Sequence, residues 1–390
     1  MAGLTITTTL PPLVQAHYDK RFLLRAKHNL IAYQLAQKRQ LPSGVGKTVY
    51  FSRYTPMAKQ TSALTETLDG GIPVASRQQL NIEETAATVA LWGDFATTSK
   101  LASATSIDPE ISEKTDRLGQ QAGESIDYYT MKTLCTGLLR RRADADASYQ
   151  LEGTASGGTT TTIVDAGVLT QADNYWQGGY VTVIAGTNYG ETRKITSSTQ
   201  ATTTLTFAAM PKACDTTTQY RVVIGTGTAA ADVVTTTNIL VSLRDLKRNK
   251  ALKAEAGYYI GILDPDTEYD FMKDTTWQNA AVYKDRVDSL YTGEIGKWMG
   301  IRFVGSTQLY REDVAGAESE SGAVHAVSIL GKEAFGVVEL EGQQKKIYVK
   351  TPDMLGQPIP LYGSCGWQVG FEAKVLNGCY GLTLLCGATI

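Results

Sequence analysis

The chain has 390 residues, a mass of 42.1 kDa and a formal net charge of −2. An apolar share of 43% can fill sizeable cores and excludes a disordered chain, and the length allows two or three domains. Charged residues make up only 19%; polarity rests on 49 Thr and 37 Gly, a composition suited to strands and turns.

The opening MAGLTITTTLPPLVQ has no charged stretch before an apolar one, so no secretory signal is expected, and no run reaches the roughly 20 apolar residues of a membrane helix. Cys135, Cys214, Cys365, Cys379 and Cys386 form no CxxC pair and are read as reduced thiols in a cytoplasmic product. Charge is uneven. Residues 1–50 carry Lys20, Arg21, Arg25, Lys27, Lys38, Arg39 and Lys47 against Asp19 alone, giving +6 there and −8 in the remainder. A basic arm on an acidic body suits self-association or an anionic partner; a solvated helix face is the plain alternative.

Residues 11–40 read as a helical arm between Pro11-Pro12 and Pro42. KTVYFSRY at 47–54 alternates as a strand, as does 77–92, and Asp69-Gly70-Gly71 marks a turn between them. The unit is a long hairpin with no core of its own, an arm that finds burial on a neighbouring chain. Residues 108–142 form the clearest helix, about 50 Å long, with Asp108 as N-cap and Arg140, Arg141 and Arg142 at its cation-favouring C-terminus.

Residues 153–227 are Thr- and Gly-rich with few charges, and short alternating strands predict an inserted small β-domain of sandwich or barrel type. We expect it to fold autonomously on an outer surface. An amphipathic helix follows at 237–256, carrying Arg244, Lys247, Arg248 and Lys250 and ended by Gly257. Then come a buried strand at 258–263, an acidic turn and helix, strands at 300–305 and 323–330, a short helix at 332–339, and further strands.

Tests for chemistry fail. Gly44-Val45-Gly46-Lys47-Thr48 lacks the first Gly of a phosphate loop, where Leu41 stands, and precedes a strand rather than a helix. Asp264-Pro265-Asp266-Thr267-Glu268-Tyr269-Asp270 begins like a calcium loop but has Tyr269 and Thr275 where Gly and Glu are needed. A turn with Asp266 capping the next helix is the simpler reading; a weak divalent site at an assembly contact is the alternative. His17, His28 and His325 have no metal-ligand spacing, and Gly363-Ser364-Cys365-Gly366-Trp367 reads as a turn between strands. No catalytic residue, cofactor site or metal site is assigned, and the chain is not expected to be an enzyme.

The order of elements, with LTETLDGGIPVASRQQL (64–80), WGDFATTSKLASATSIDPE (92–110), YYIGILDPDTEYDFMKDTTW (258–277), YTGEIGKWMGIRFVGSTQ (291–308) and FEAKVLNGCYGLTLLCGA (371–388), resembles the major capsid proteins of tailed bacteriophages. The match is to their podovirus-type branch, and the fold it implies is the α+β Hong Kong 97 capsid fold with an inserted all-β domain. The implied division is a basic N-terminal arm at 1–46, an extended hairpin loop and base at 47–105, the spine helix of a peripheral domain at 106–149, the insert at 150–230, a mainly axial domain at 231–345, and C-terminal strands returning to the peripheral domain at 346–390.

The resemblance further implies a virion shell subunit, assembled in the bacterial cytoplasm as hexamers and pentamers. A separate scaffolding protein, a portal and non-specifically held DNA are the implied partners; no membrane is. Assembly contacts are expected from Lys20, Arg21, Arg25, Lys27, Lys59, Leu64, Glu66, Asp69, Arg140, Arg141 and Arg142. Some members cross-link a loop Lys to a neighbour's Asn; Lys59 and Asn377 are the nearest candidates, with nothing local to support them. A cell-encoded nanocompartment shell of the same fold, or a Thr-rich β tail or adhesin protein, are the alternatives.

Overall fold

A computed structural model describes residues 11–54, 68–69, 72–73, 82–105, 110–143, 149–224, 232–254, 257–278, 296–308, 310–312, 324–342, 346–350 and 361–389. Three layers of secondary structure emerge, each with its own buried cluster.

The first is built around the spine helix, Glu110–Gly137. Leu118, Ala122 and Ile126 line its buried face, and Glu110 and Glu113 sit in its first turn, where the helix dipole favours anions. Its 28 residues span about 42 Å. The expected Asp108 cap lies outside the described residues. The arm helix, Pro11–Asn29, lies on the spine, as its thin apolar content requires. Gly119 permits the close approach: a Cβ there would sit 2.9 Å from the carbonyl oxygen of Phe22. Against the other side of the spine packs the return strand, Tyr362–Val375. Its alternate residues Cys365, Trp367, Val369, Phe371 and Ala373 are buried with Phe22 and Ile126 in one cluster. Strands Ala90–Ser99, Lys346–Lys350 and Phe335–Leu340 flank it, with Gln37–Leu41 parallel to the last.

The second layer is a mixed sheet ordered 297–298, 301–305, 259–263, 324–330, 381–386, 139–142. The strands Tyr259–Leu263, Val324–Leu330 and Gly381–Cys386 are buried at every residue, as continuous apolar runs demand when both faces are covered. Helices Thr236–Arg248 and Pro265–Lys273 supply Leu243, Leu246 and Phe271 to one cluster against it, and the end of the spine helix supplies Met131, Leu134 and Cys135 to another.

The third layer is the insert, one seven-stranded sheet ordered 150–154, 219–223, 180–185, 192–199, 204–207, 162–164, 157–158. Its two edge strands are consecutive in the chain, joined through Ala155 and Ser156, so the sheet curls back in a barrel-like way. Ile163, Trp176, Val181, Ile195, Leu205 and Tyr220 form its own core.

The hairpin is present at both ends. Thr48–Tyr54 pairs antiparallel with Ile82–Thr88, and Leu68–Asp69 with Ile72–Pro73; the expected Gly70-Gly71 turn lies outside the described residues. Gly44 and Gly46, at φ of 86° and 100°, form the turn into it.

Several expectations are corrected. The arm helix ends at Asn29, and 37–41 is an edge strand. The stretch 77–92 does not run as one strand: at Val89 the chain leaves the hairpin for the sheet under the spine. Residues 335–340 form a strand, not a helix, because Val337 and Val338 pack on opposite faces of the sheet and Gly336 admits Gln37 closely. Gly363–Trp367 lies inside the return strand rather than at a turn. The helix after the insert stops at Arg248, short of Gly257. Asp264, not Asp266, caps the next helix, accepting from Thr267 N in a capping box. The spine helix ends before Arg140–Arg142, which form a strand. Phe335–Leu340 belongs to the sheet under the spine, and Gly381–Cys386 to the second sheet.

Candidate assembly interface

Of the arm cations, Arg21 donates two hydrogen bonds to Asp116 of the spine helix, at 3.1 and 2.6 Å, and that carboxylate raises its pKa. Arg25 lies 3.8 Å from the same acid, while Lys20 and Lys27 are exposed. Lys38 and Arg39 stand 4.7 and 4.8 Å over the rings of Tyr33 and Phe51. The expected Lys59, Leu64 and Glu66 lie outside the described residues, and Asp69 pairs with Ile72 at the hairpin tip. Asn377 accepts from Cys379 N and so caps a single helical turn.

Sequence reading missed an exposed apolar stripe. Strand Ala90–Ser99 lies against the return strand with Leu91 opposite Gly370 and Phe95 opposite Gly366. Trp92 faces the spine and meets the rings of Tyr129 and Phe371. Alternation therefore sends Leu91 and Phe95 the other way, where they are 61% and 70% exposed. Leu101, Leu361 and Tyr362 extend this surface, and Tyr50 and Ile82 expose the hairpin base beside it. A stripe of this kind on a strand is the type of surface that protein contacts cover. The signal was available in the alternation of Leu91, Trp92 and Phe95, but not which face the core would take.

The Arg140–Arg142 strand is a buried joint. Arg140, fully buried, donates to Glu312 at 2.6 Å and lies 3.9 Å over the ring of Tyr180 from the insert. Burial opposes its charge, but Glu312 and Tyr180 more than offset this, and its pKa is raised. Arg142 pairs with Asp232 at 2.5 Å, and Arg141 with Asp245 at 2.8 Å. Arg221 of the insert reaches Glu152, Asp245 and the carbonyl of Arg140. The row thus spends its charges on acids of its own chain and ties the insert to the second sheet.

One cluster has ligand chemistry. Donor atoms of Asp264, Asp266 and His325 lie within 4.8 Å of one another. Arg311 already donates to both carboxylates, at 3.1 and 2.8 Å, and His325 Nδ1 touches Asp264. Burial pushes the Asp264 carboxyl up, but its bonds to His325 and Thr267 prevail and hold it below the usual range. A divalent ion would have to displace Arg311, so the geometry fits a neutralised helix cap better than a metal centre. The cysteines are all free and buried; burial pushes Cys135 up to about 12, far from a reactive thiolate. Among the described residues no helix is long and apolar enough to cross a membrane.

No protein-family model and no curated protein matches the chain. Solved structures do. The capsid chain of cyanophage Pam1 aligns with a TM-score of 0.55 at 13% identity, over 93% of this chain and 92% of that one. The capsid chain of cyanophage P-SCSP1u aligns at 0.52 and 14%, over 91% and 87%. That of Ralstonia phage GP4 aligns at 0.52 and 11%, over 91% and 88%. The chain has the fold of these phage capsid subunits, the α+β Hong Kong 97 type.

Proposed function

We propose that the protein is a structural shell subunit, the major capsid protein of a tailed phage, and has no catalytic role. Copies associate as hexamers and pentamers into a closed shell around double-stranded DNA, assembled in the bacterial cytoplasm with a separate scaffolding protein and a portal. The observation that carries this reading is an alignment with capsid chains over nine-tenths of both partners. The exposed Leu91–Phe95 stripe supports it, since among the described residues it has no burial within its own chain. In this reading the arm, hairpin, spine, insert and two sheets keep the roles of the expected division, and the insert lies on the outer face.

The test is assembly of a Leu91→Asp, Phe95→Asp variant, followed by sedimentation velocity. The unaltered chain should sediment as large closed particles and the variant as a soluble small species with unchanged circular dichroism. Equal assembly by both would remove the stripe from the interface, and a monomeric unaltered chain would contradict the shell reading.

A further inference from the structure

We infer that the surface formed by helix Thr236–Arg248 and the turn after it is the chain's binding site for double-stranded DNA. This rests on the shell reading for its biological setting, though not for its chemistry. Arg244, Lys247, Arg248, Lys250, Lys253 and Lys332 are all exposed there. They form one surface, because Arg244 and Lys247–Arg248 are a helical turn apart and the amide of Lys332 donates to the carbonyl of Leu252.

The acids of this region do not neutralise it. Asp245 points inward to Arg141 and Arg221, sparing only one oxygen for Arg244 at 3.0 Å. Glu333 stands 3.9 Å from Lys332. Lys247, Arg248, Lys250 and Lys253 have no ion pair among the described residues. The helix dipole accounts for a cation or two in the last turn, here Lys247 and Arg248, but not for Lys250, Lys253 and Lys332 beyond it.

The chemistry of the patch selects its partner. Four of its six cations are lysines, a residue depleted in protein–protein interface cores but well suited to phosphates as a flexible point charge. The patch stands on a chain that is net acidic outside its first fifty residues, so a polyanion is attracted here and repelled around it. The arm, with the larger sequence charge, is the poorer candidate: Arg21 and Arg25 are turned to Asp116, and Lys38 and Arg39 lie over rings.

The experiment measures binding of the full-length chain to a short mixed-sequence DNA duplex by fluorescence anisotropy across a salt series. Each phosphate contact contributes about 0.9 to the slope of log affinity on log salt. Replacing Arg244, Lys247, Arg248, Lys250 and Lys253 with Gln should weaken binding at least tenfold and lower the slope by about 4. Lys247→Gln and Lys253→Gln singly should each lower it by about 0.9, which keeps the test open if the fivefold variant fails to fold. An arm variant, Arg21→Gln, Arg25→Gln and Lys27→Gln, should change neither.

Undiminished binding by the patch variants, or an equal loss in the arm variant, overturns the inference. So does loss of assembly with DNA binding intact, which would make the patch a protein contact. If the unaltered chain binds DNA through the patch but never forms shells, the shell reading falls and this inference stands.

Discussion

Two basic runs in this chain, Arg140–Arg142 and Arg244–Lys253, look alike in sequence and have opposite fates. The first is a strand whose cations end on Glu312, Asp245 and Asp232. The second is a helix end and turn whose cations face solvent. Local sequence does not separate them. What separates them is the supply of acids from distant segments: Glu312 is 172 positions from Arg140, and Asp232 is 90 from Arg142. A buried cation is stable only where such a partner meets it, so the joint holds three parts of the chain in register and the patch holds none.

Breaking the joint should have the largest effect. Arg140→Leu leaves Glu312 buried without its cation and should cost about 3–5 kcal/mol in urea unfolding. Adding Glu312→Leu should recover most of it; no recovery would mean that the stacking on Tyr180, not the ion pair, dominates.

The contact between insert and body offers the next test. Gly190 of the insert has φ +88°, and a Cβ there would fall 2.5 Å from Cys379 Sγ. Gly190→Ala should lower stability by about 1–3 kcal/mol. A neutral effect would show that the insert rides loosely on the joint.

Asp127 sharpens the comparison by being a buried carboxyl with no counter-ion among the described residues. It accepts from the backbone N–H groups of residues 31–33, and its second oxygen has no hydrogen-bond partner among the described residues. Burial lifts its pKa to about 6, above the unfolded chain's. The folded state therefore holds the proton more tightly. The stability this gives is complete below the unfolded pKa and is lost as pH rises through about 6. Asp127→Asn should flatten stability across that window by about 1–3 kcal/mol, read from unfolding midpoints at pH 4.5 and 7.5. An unchanged pH profile would contradict the assignment. The smallest effect belongs to the exposed run: Lys247→Gln should shift stability by under about 0.5 kcal/mol.

Much of the fold was legible. The spine helix, hairpin base, insert and buried strands announced themselves through period, Gly turns and composition, which are local signals. What was not legible depended on partners. Arg140–Arg142 were read as a helix end because their acids lie elsewhere in the chain. Val337 and Val338 were read as helix because the strand they pair with, Gln37–Leu41, had itself been absorbed into the arm. Arg21, one of the expected contact residues, bonds Asp116 of its own chain, a partner 95 positions away that no local signal names. Leu91 and Phe95 were overlooked because alternation shows two faces without saying which is buried.

Negative-stain electron microscopy of the expressed full chain tests the central claim most directly. The account predicts closed shells of uniform diameter, with the Leu91→Asp, Phe95→Asp variant giving none. A field of dispersed monomers under every assembly condition, from a chain folded by circular dichroism, would contradict it.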